Sequence, residues 1–382
     1  MSTEVASIYS RKNPFPATMA VNRPLTLEGS EKDTRHYEIS LEGSGLAYEV
    51  GDSLGVFPEN DPKLVEQILK TLGFTGEELV ADPAGELVAL RNALLKDYII
   101  TTPAKQLLQA AAEKDEGAEF LKELLNPEVK SELDAWLWGR DVLDVLEEFP
   151  LAKFTPEEFV KVLRKLQPRL YSIASSQKVV GEAVHLTVAS VRYEALNRKR
   201  SGVASVFLAE RSEGVGRIPV FVHTAKHFRV PEDPAADMIM VGPGTGIAPF
   251  RAMLQERKAT GASGRNWLFF GEQRSACDFF YKEEFEAWQS EGVLTRFDTA
   301  FSRDQDYKIY VQHRIVENAQ ELYAWLERGA YFYICGDASR MAKDVDDALH
   351  KVVEKAGGKT PEEAAAYMAE LKKAKRYRKD VY

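Results

Sequence analysis

The chain has 382 residues, more than one hydrophobic core commonly organises, so two or three domains are expected at ~100 to 200 residues each. With 45% hydrophobic and 29% charged residues, 25 Gly and 17 Pro, it is neither collagen-like nor wholly disordered. Fifty basic against 59 acidic residues give a net charge of −9, which works against non-specific attraction to nucleic acid.

Only Cys277 and Cys335 are present, in no metal-ligand spacing, so neither a disulfide framework nor a zinc knuckle is expected. Residues 1–21 mix Glu4, Arg11, Lys12 and two prolines and lack the apolar core of an export signal. No apolar stretch approaches the ~20 residues that span a bilayer. The expectation is a cytoplasmic protein with no membrane insertion and no nucleic-acid partner.

In chain order, residues 19–57 read as short alternating strands broken by glycine, with strands at 37–41 and 46–50. Leu64, Val65, Ile68, Leu69 and Leu72 then fall at helical spacing, with Gly73 as the stop. From 77 to 166 the period is helical, as in Leu121, Leu124 and Leu125 or Val142, Val145, Leu146 and Phe149. Strand grammar resumes at 170–173, 184–191 and 218–223, so a β domain is interrupted by a helical insertion and then completed.

After a linker at 231–234, strands at 238–241, 266–271, 293–301 and 331–335 alternate with helices at 248–260, 279–290, 311–328 and 339–356. That alternation predicts a parallel sheet covered on both faces, with ligands outside the carboxyl ends of its strands.

The sharpest glycine cluster, Gly242, Pro243, Gly244, Thr245, Gly246, sits between the strand at 238–241 and a helix. Missing β-carbons and unpaired helix amides suit a phosphate or planar ring; a tight structural turn meets the same pattern. Ser302, Arg303, Lys308, Tyr310 and Gln312 offer a guanidinium, an ammonium and hydroxyls that suit the 2′-phosphate distinguishing NADPH from NADH, or else form a solvated loop. Cys335 ends a strand and is either small core or a thiol beside a nicotinamide ring. Arg169, Tyr171 and Ser172 on one strand suit a flavin pyrophosphate, ring and reactive edge; Gly202, Val203, Ala204 and Ser205 open a helix toward phosphate. His223 and His227 lack a third ligand, so no metal is expected, and Trp136 and Trp138 read more as insertion core than as ligand residues.

Arg169-Leu-Tyr-Ser, Gly202-Val-Ala-Ser, Gly242-Pro-Gly-Thr-Gly-Ile-Ala-Pro-Phe-Arg, Ser302-Arg, Lys308-Ile-Tyr-Val-Gln, Cys335-Gly-Asp and Arg378-Lys-Asp-Val-Tyr occur in this order. Together they resemble the FAD and NADPH half of the diflavin reductases, most closely the flavoproteins of assimilatory sulfite reductases, from about Pro14 to Tyr382. The resemblance implies an antiparallel β-barrel FAD domain at 14–230, interrupted by a helical insertion at about 75–165. A doubly wound, ferredoxin-NADP reductase-like NADPH domain at 231–382 would follow.

By the same resemblance, Arg169, Leu170, Tyr171, Ser172, Thr187, Val188, Ala189, Tyr193, Gly202, Val203, Ala204 and Ser205 would bind FAD, with Tyr382 covering its ring. Gly242, Gly244, Thr245, Gly246, Ser302, Arg303, Lys308, Ile309, Tyr310, Val311, Gln312 and Asp344 would bind NADPH. Ser172, Cys335, Asp380 and Tyr382 would serve the hydride path. Ala189 and Val203 stand where the family often has glycine, so backbone contacts are expected there.

The family's full-length members carry an FMN domain ahead of this module, whereas only residues 1–13 precede Pro14, so no FMN site is expected in this chain. Electrons would then pass to a separate protein: a sulfite reductase haemoprotein, a flavodoxin or a ferredoxin. Alternatives are a flavodoxin or ferredoxin-NADP reductase of another pathway, or a non-catalytic FAD-binding scaffold. Arg192, Arg198, Lys199 and Arg200, and the basic run at 372–379, are candidate docking patches for an acidic carrier, or else a solvated helix face or a cofactor-adjacent tail.

Overall fold

The computed structural model describes residues 7–214 and 216–382; the first six residues of the N-terminal stretch lie outside it. The chain forms two compact units. One comprises the described residues through Gly55 with Leu170–Ala189 and Glu213–Tyr382; the other comprises Val56–Arg169 and Ser190–Ser212.

The first unit opens with a six-stranded sheet in the order Arg169–Ser172, Ser53–Val56, Ile218–His223, Phe15–Pro24, Thr34–Ser40, Ala183–Ala189. Phe15–Pro24 runs antiparallel to both neighbours, and Thr34–Ser40 antiparallel to Ala183–Ala189. A bridge between Ile173 and Leu186, with the Ala174 N–H donating to His185 O at 2.8 Å, joins the two outer strands. The sheet thereby closes into an antiparallel barrel with no free edge at that seam. The strand expected at 46–50 is absent from the ladder, because polar side chains take its hydrogen bonds. The Tyr48 N–H donates to Gln177 Oε1 at 2.8 Å, and its phenol meets Ser175 Oγ and Ala183 O, each at 2.8 Å.

The same unit continues into a five-stranded parallel sheet in the order Arg296–Phe301, Asn266–Glu272, Met238–Val241, Tyr331–Gly336, Tyr377–Val381. Met238–Val241 and Asn266–Glu272 are buried at every position, which explains their continuous apolar character: helices cover both faces. Chain order reverses around Met238–Val241, so the topological switch point lies at its carboxyl end. The helix expected at 311–328 is two, Val311–Glu317 and Ala319–Glu327. Between them the Asn318 side chain donates to Arg314 O and to Asp298 Oδ1, as suits a residue that competes with helical bonding. The helix Pro361–Lys373, opened by a Thr360/Glu363 capping box, and the strand Tyr377–Val381 were not foreseen.

The second unit is mainly helical. In Pro62–Leu72, the Asp61 carboxylate caps Lys63 N–H, Gly73 closes the helix at φ 75°, and Leu64, Val65, Ile68 and Leu69 are buried. They join Leu121, Val142 and Leu146 in one core. Two short strand pairs, Leu79–Ala81 with Leu87–Ala89 and Tyr98–Ile99 with Arg164–Lys165, lie within the stretch read as helical. In the hairpin Arg192–Ala195 and Arg198–Ser201, Arg200 is buried against Asp141 at 2.5 Å and Asp144 at 2.8 Å, and Arg198 also meets Asp144 at 2.7 Å. Arg192 pairs with Glu210 at 2.5 Å. The first basic docking patch is therefore mostly an internal ion-pair group. The second is also largely engaged: Lys372 and Lys379 face Asp346, and Arg376 donates to Leu326 O and Ala330 O. Among the described residues no helix is long and apolar enough to cross a membrane.

Candidate cofactor and hydride-transfer site

Four of the five strand ends build a cavity of about 840 Å³ at the switch-point side of the parallel sheet. Met238–Val241 leads into Gly244, Asn266–Glu272 into Gln273, Arg296–Phe301 into Ser302, and Tyr331–Gly336 into Asp337, all on its wall. Gly244, Ser302, Arg303, Lys308, Tyr310, Val311, Gln312 and Asp344, expected at the nucleotide, line it together. Ile309, Gly242, Thr245 and Gly246 do not belong to its lining. Gln312 Nε2 donates to Asp344 Oδ2 at 3.1 Å, which connects two of the wall residues.

The glycine turn serves both readings left open by its pattern. A β-carbon on Gly246 would meet Cys335 O at 2.1 Å, so close backbone packing alone requires glycine there. Gly244, at φ +58°, faces the cavity. Lys32 and Arg340 also line the cavity and were not foreseen. Lys32 comes from the loop before Thr34–Ser40 and reaches Glu272 Oε1 at 2.5 Å across 240 positions, a pairing no local pattern signals. The cationic and hydroxyl donors on this wall match the chemistry of a phosphorylated nucleotide.

A second group lies at the carboxyl ends of the last two strands. Ser172 Oγ donates to Asp380 Oδ2 at 2.6 Å, and Cys335 Sγ stands 3.8 Å from the same oxygen. Cys335 is fully buried; burial, reinforced by the Asp380 charge, pushes its thiol well above the ordinary value and keeps it protonated. The terminal residue is fixed by backbone bonds: Tyr382 N–H donates to Gly336 O, and Tyr382 O accepts from Ala338 N–H, each at 3.1 Å. Its phenol lies 3.0 Å from Thr245 Oγ1 while the side chain stays exposed.

The residues expected at FAD divide between the two units. In the first, Leu170 is exposed and Tyr171 and Ser172 are half-buried. Thr187 Oγ1 is engaged by Tyr281 OH at 2.7 Å and Val188 is buried, so neither side chain is free at the surface; Ala189 is half-buried. In the second unit, Arg169 is exposed, and exposed Tyr193 stands 6.2 Å from Trp138. Trp138 is 67% exposed, which corrects its reading as core; Trp136 does pack against the helical core. Gly202 precedes the helix Val203–Glu210, where Ser205 Oγ accepts the Val191 N–H at 3.1 Å; Val203 and Ala204 complete that first turn. Leu170, Tyr193, Tyr310 and Tyr382 are among the large hydrophobic side chains left exposed.

The barrel is tied to the parallel sheet by a buried polar network. His36 Nδ1 lies 2.9 Å from Tyr281 OH and its Nε2 3.2 Å from Glu38, while Arg251 reaches His185 Nδ1 at 3.4 Å and donates to Ala174 O at 2.6 Å. Burial foremost, then the Arg251 charge, lowers His36 to about 2 and His185 to about 4, so both rings are neutral. His36, Glu38 and His185 bring ligand-type atoms within 4.8 Å of one another, whereas His223 and His227 are exposed. The Arg251 guanidinium makes His185 Nδ1 an acceptor, which puts the ring proton on Nε2, toward Glu38.

Residues 8–207 match the family model of the FAD binding domain, and residues 240–347 that of the oxidoreductase NAD-binding domain. The chain is similar to the sulfite reductase (NADPH) flavoprotein alpha-components of three bacteria. With that of Bacillus subtilis (strain 168) it shares 48% identity over 377 residues, 98% of this chain and 62% of the relative. With that of Aliivibrio fischeri it shares 48% over 376 residues, 98% and 61%, and with that of Photobacterium profundum 45% over 381 residues, 100% and 62%. The chain thus spans about 60% of the length of these curated relatives. An antiparallel barrel followed by a parallel sheet is the ferredoxin-NADP reductase-like order, and with more than half of its length matched, this chain belongs to the FAD binding domain family of oxidoreductases.

Proposed function

We propose that this chain accepts hydride from NADPH onto FAD and passes electrons to a separate cytoplasmic redox protein, a sulfite reductase haemoprotein or a small carrier feeding it. The observation that carries this reading is the grouping of Ser172, Asp380 and Cys335 beside the glycine turn of a sheet whose cavity presents phosphate-binding side chains. NADPH supplies the hydride, and FAD connects that two-electron step to one-electron acceptors.

Arg169 neutralises the flavin pyrophosphate, with Leu170, Tyr171 and Tyr193 packing on the cofactor. Backbone of Thr187, Val188 and Ala189 and the turn at Gly202, Val203, Ala204 and Ser205 complete the FAD contacts. Ser302, Arg303, Lys308, Tyr310 and Gln312 hold the 2′-phosphate end of the nucleotide, with Gly244, Thr245 and Asp344 nearby. Asp380 orients the Ser172 hydroxyl, Cys335 adds an uncharged thiol, and Tyr382 screens the hydride path from water. The functional boundary falls at residue 231.

The test is anaerobic addition of NADPH to the purified FAD-loaded protein. Bleaching of the flavin absorbance by NADPH, and much slower bleaching by NADH, is expected. An unbleached flavin rejects the reductase in favour of a scaffold, and equal rates reject the 2′-phosphate pocket. Reoxidation of the bleached protein by a sulfite reductase haemoprotein, a flavodoxin or a ferredoxin then identifies the acceptor.

A further inference from the structure

The loop between Phe15–Pro24 and Thr34–Ser40 leaves the barrel and is stapled to the parallel-sheet half. Leu27 N–H donates to Cys277 O at 2.9 Å, and Ser30 Oγ donates to the buried Asp278 at 2.5 Å. Lys32 is bound to Glu272. These contacts hold the intervening Glu31 at the cavity rim, where Oε2 pairs with Arg303 at 2.5 Å and Oε1 with Arg274 at 3.2 Å. The carboxylate is held below its ordinary range, first by the Arg303 hydrogen bond and then by that of Arg274.

Arg303 is the guanidinium assigned to the 2′-phosphate, and it lines the cavity, whereas Glu31 and Arg274 do not. A carboxylate on its guanidinium occupies donors that phosphate would use and repels the incoming dianion. We propose that Glu31 is an internal counter-ion competing with the nucleotide's 2′-phosphate for Arg303, and so a determinant of NADPH-over-NADH specificity. This rests on the functional reading above. Both Glu31 and Arg303 are partly exposed, so water and salt weaken the competition and the effect is a tuning of affinity. Relieving it strengthens only ligands that carry the 2′-phosphate.

The experiment measures binding of adenosine 2′,5′-bisphosphate and of 5′-ADP by calorimetry, using the FAD-loaded full chain as wild type, Glu31→Gln and Arg303→Ala. Glu31→Gln is expected to bind the bisphosphate about three- to tenfold more tightly at low salt, with 5′-ADP unchanged and the gain shrinking as salt rises. Unchanged or weaker bisphosphate binding overturns the proposal, as does an equal gain for 5′-ADP. Arg303→Ala separates the two levels of argument. If it leaves bisphosphate binding at the wild-type level, the assigned phosphate pocket itself is wrong. If it weakens binding while Glu31→Gln gains nothing, only the counter-ion role fails. Retained flavin absorbance and melting temperature show that each variant is folded.

Discussion

Ser172 Oγ donates to Asp380 Oδ2 at 2.6 Å although 208 positions separate the two residues. The barrel contributes one and the last strand of the parallel sheet the other, and that strand's register sets Asp380 opposite Cys335. Three side chains from three strands thus share one carboxylate oxygen or its immediate surroundings.

Asp380→Asn keeps the shape but weakens the acceptor for the Ser172 hydroxyl and the Cys335 thiol. A hydrogen bond to a charged group contributes ~1.5 to 3 kcal/mol, so flavin reduction by NADPH should slow by roughly 10- to 100-fold. FAD content should stay at wild-type level. Stopped-flow reduction measures the rate; an unaltered rate removes Asp380 from the hydride path.

Acid stability should depend on the His36 and His185 network. Both imidazoles bind a proton less readily folded than unfolded, because burial and the neighbouring Arg251 oppose their charge. Their stabilising contribution is complete above pH ~6.5, the unfolded value, and is lost as pH falls toward about 4 for His185 and about 2 for His36. Each ring contributes a slope of about 1.4 kcal/mol per pH unit where only the unfolded state is protonated. Urea midpoints at pH 7, 6 and 5 should fall steeply for the wild type and less steeply for His185→Gln. Identical slopes would show that burial and the Arg251 charge do not hold His185 below its ordinary value.

Glycine substitutions should separate packing from backbone conformation. In Gly246→Ala the new carbon meets Cys335 O at 2.1 Å, on a buried strand that cannot retreat, so a loss of about 2 to 3 kcal/mol is expected. Gly261 has open space around it and only a left-handed conformation at φ +65° to maintain, so Gly261→Ala should cost about 1 kcal/mol. Thermal melts of the two variants test the order. A Gly246→Ala protein as stable as Gly261→Ala would mean that the glycine turn can open away from Cys335.

Local chemistry made part of this site legible. Met238–Val241 is an apolar run ended by glycine, and Pro62–Leu72 has a cap, a stripe and a left-handed stop, so both could be read directly. Ser302, Arg303 and Lys308 stood out because their polar chemistry is plain wherever the loop lies, and all three line the cavity. The final strand was hidden because Tyr377-Arg-Lys-Asp-Val lacks the apolar run of its neighbours and gains its place from pairing with Tyr331–Gly336. Lys32 and Glu31 were invisible for a related reason: their partners lie more than 200 residues away, and loop charge by itself states no partner. The helical reading of the insertion missed its short strand pairs because two or three residues are too few to show a period.

Tyr382 offers the last prediction, because its backbone and its ring are held by different means. The main chain is fixed through Gly336 and Ala338, and the phenol through Thr245, leaving the ring face exposed. Tyr382→Phe removes only the hydroxyl contact, a loss of about 1 kcal/mol, and should change nicotinamide affinity by no more than about fivefold. Tyr382→Ala removes the ring proposed to screen the hydride path. Oxidised nicotinamide nucleotide should then bind about tenfold or more tightly, through loss of a competing ring, while flavin reduction slows through loss of ordering. Spectral titration gives the affinity and stopped-flow the rate. Wild-type values of both in Tyr382→Ala would show that the terminal tyrosine merely ends the strand.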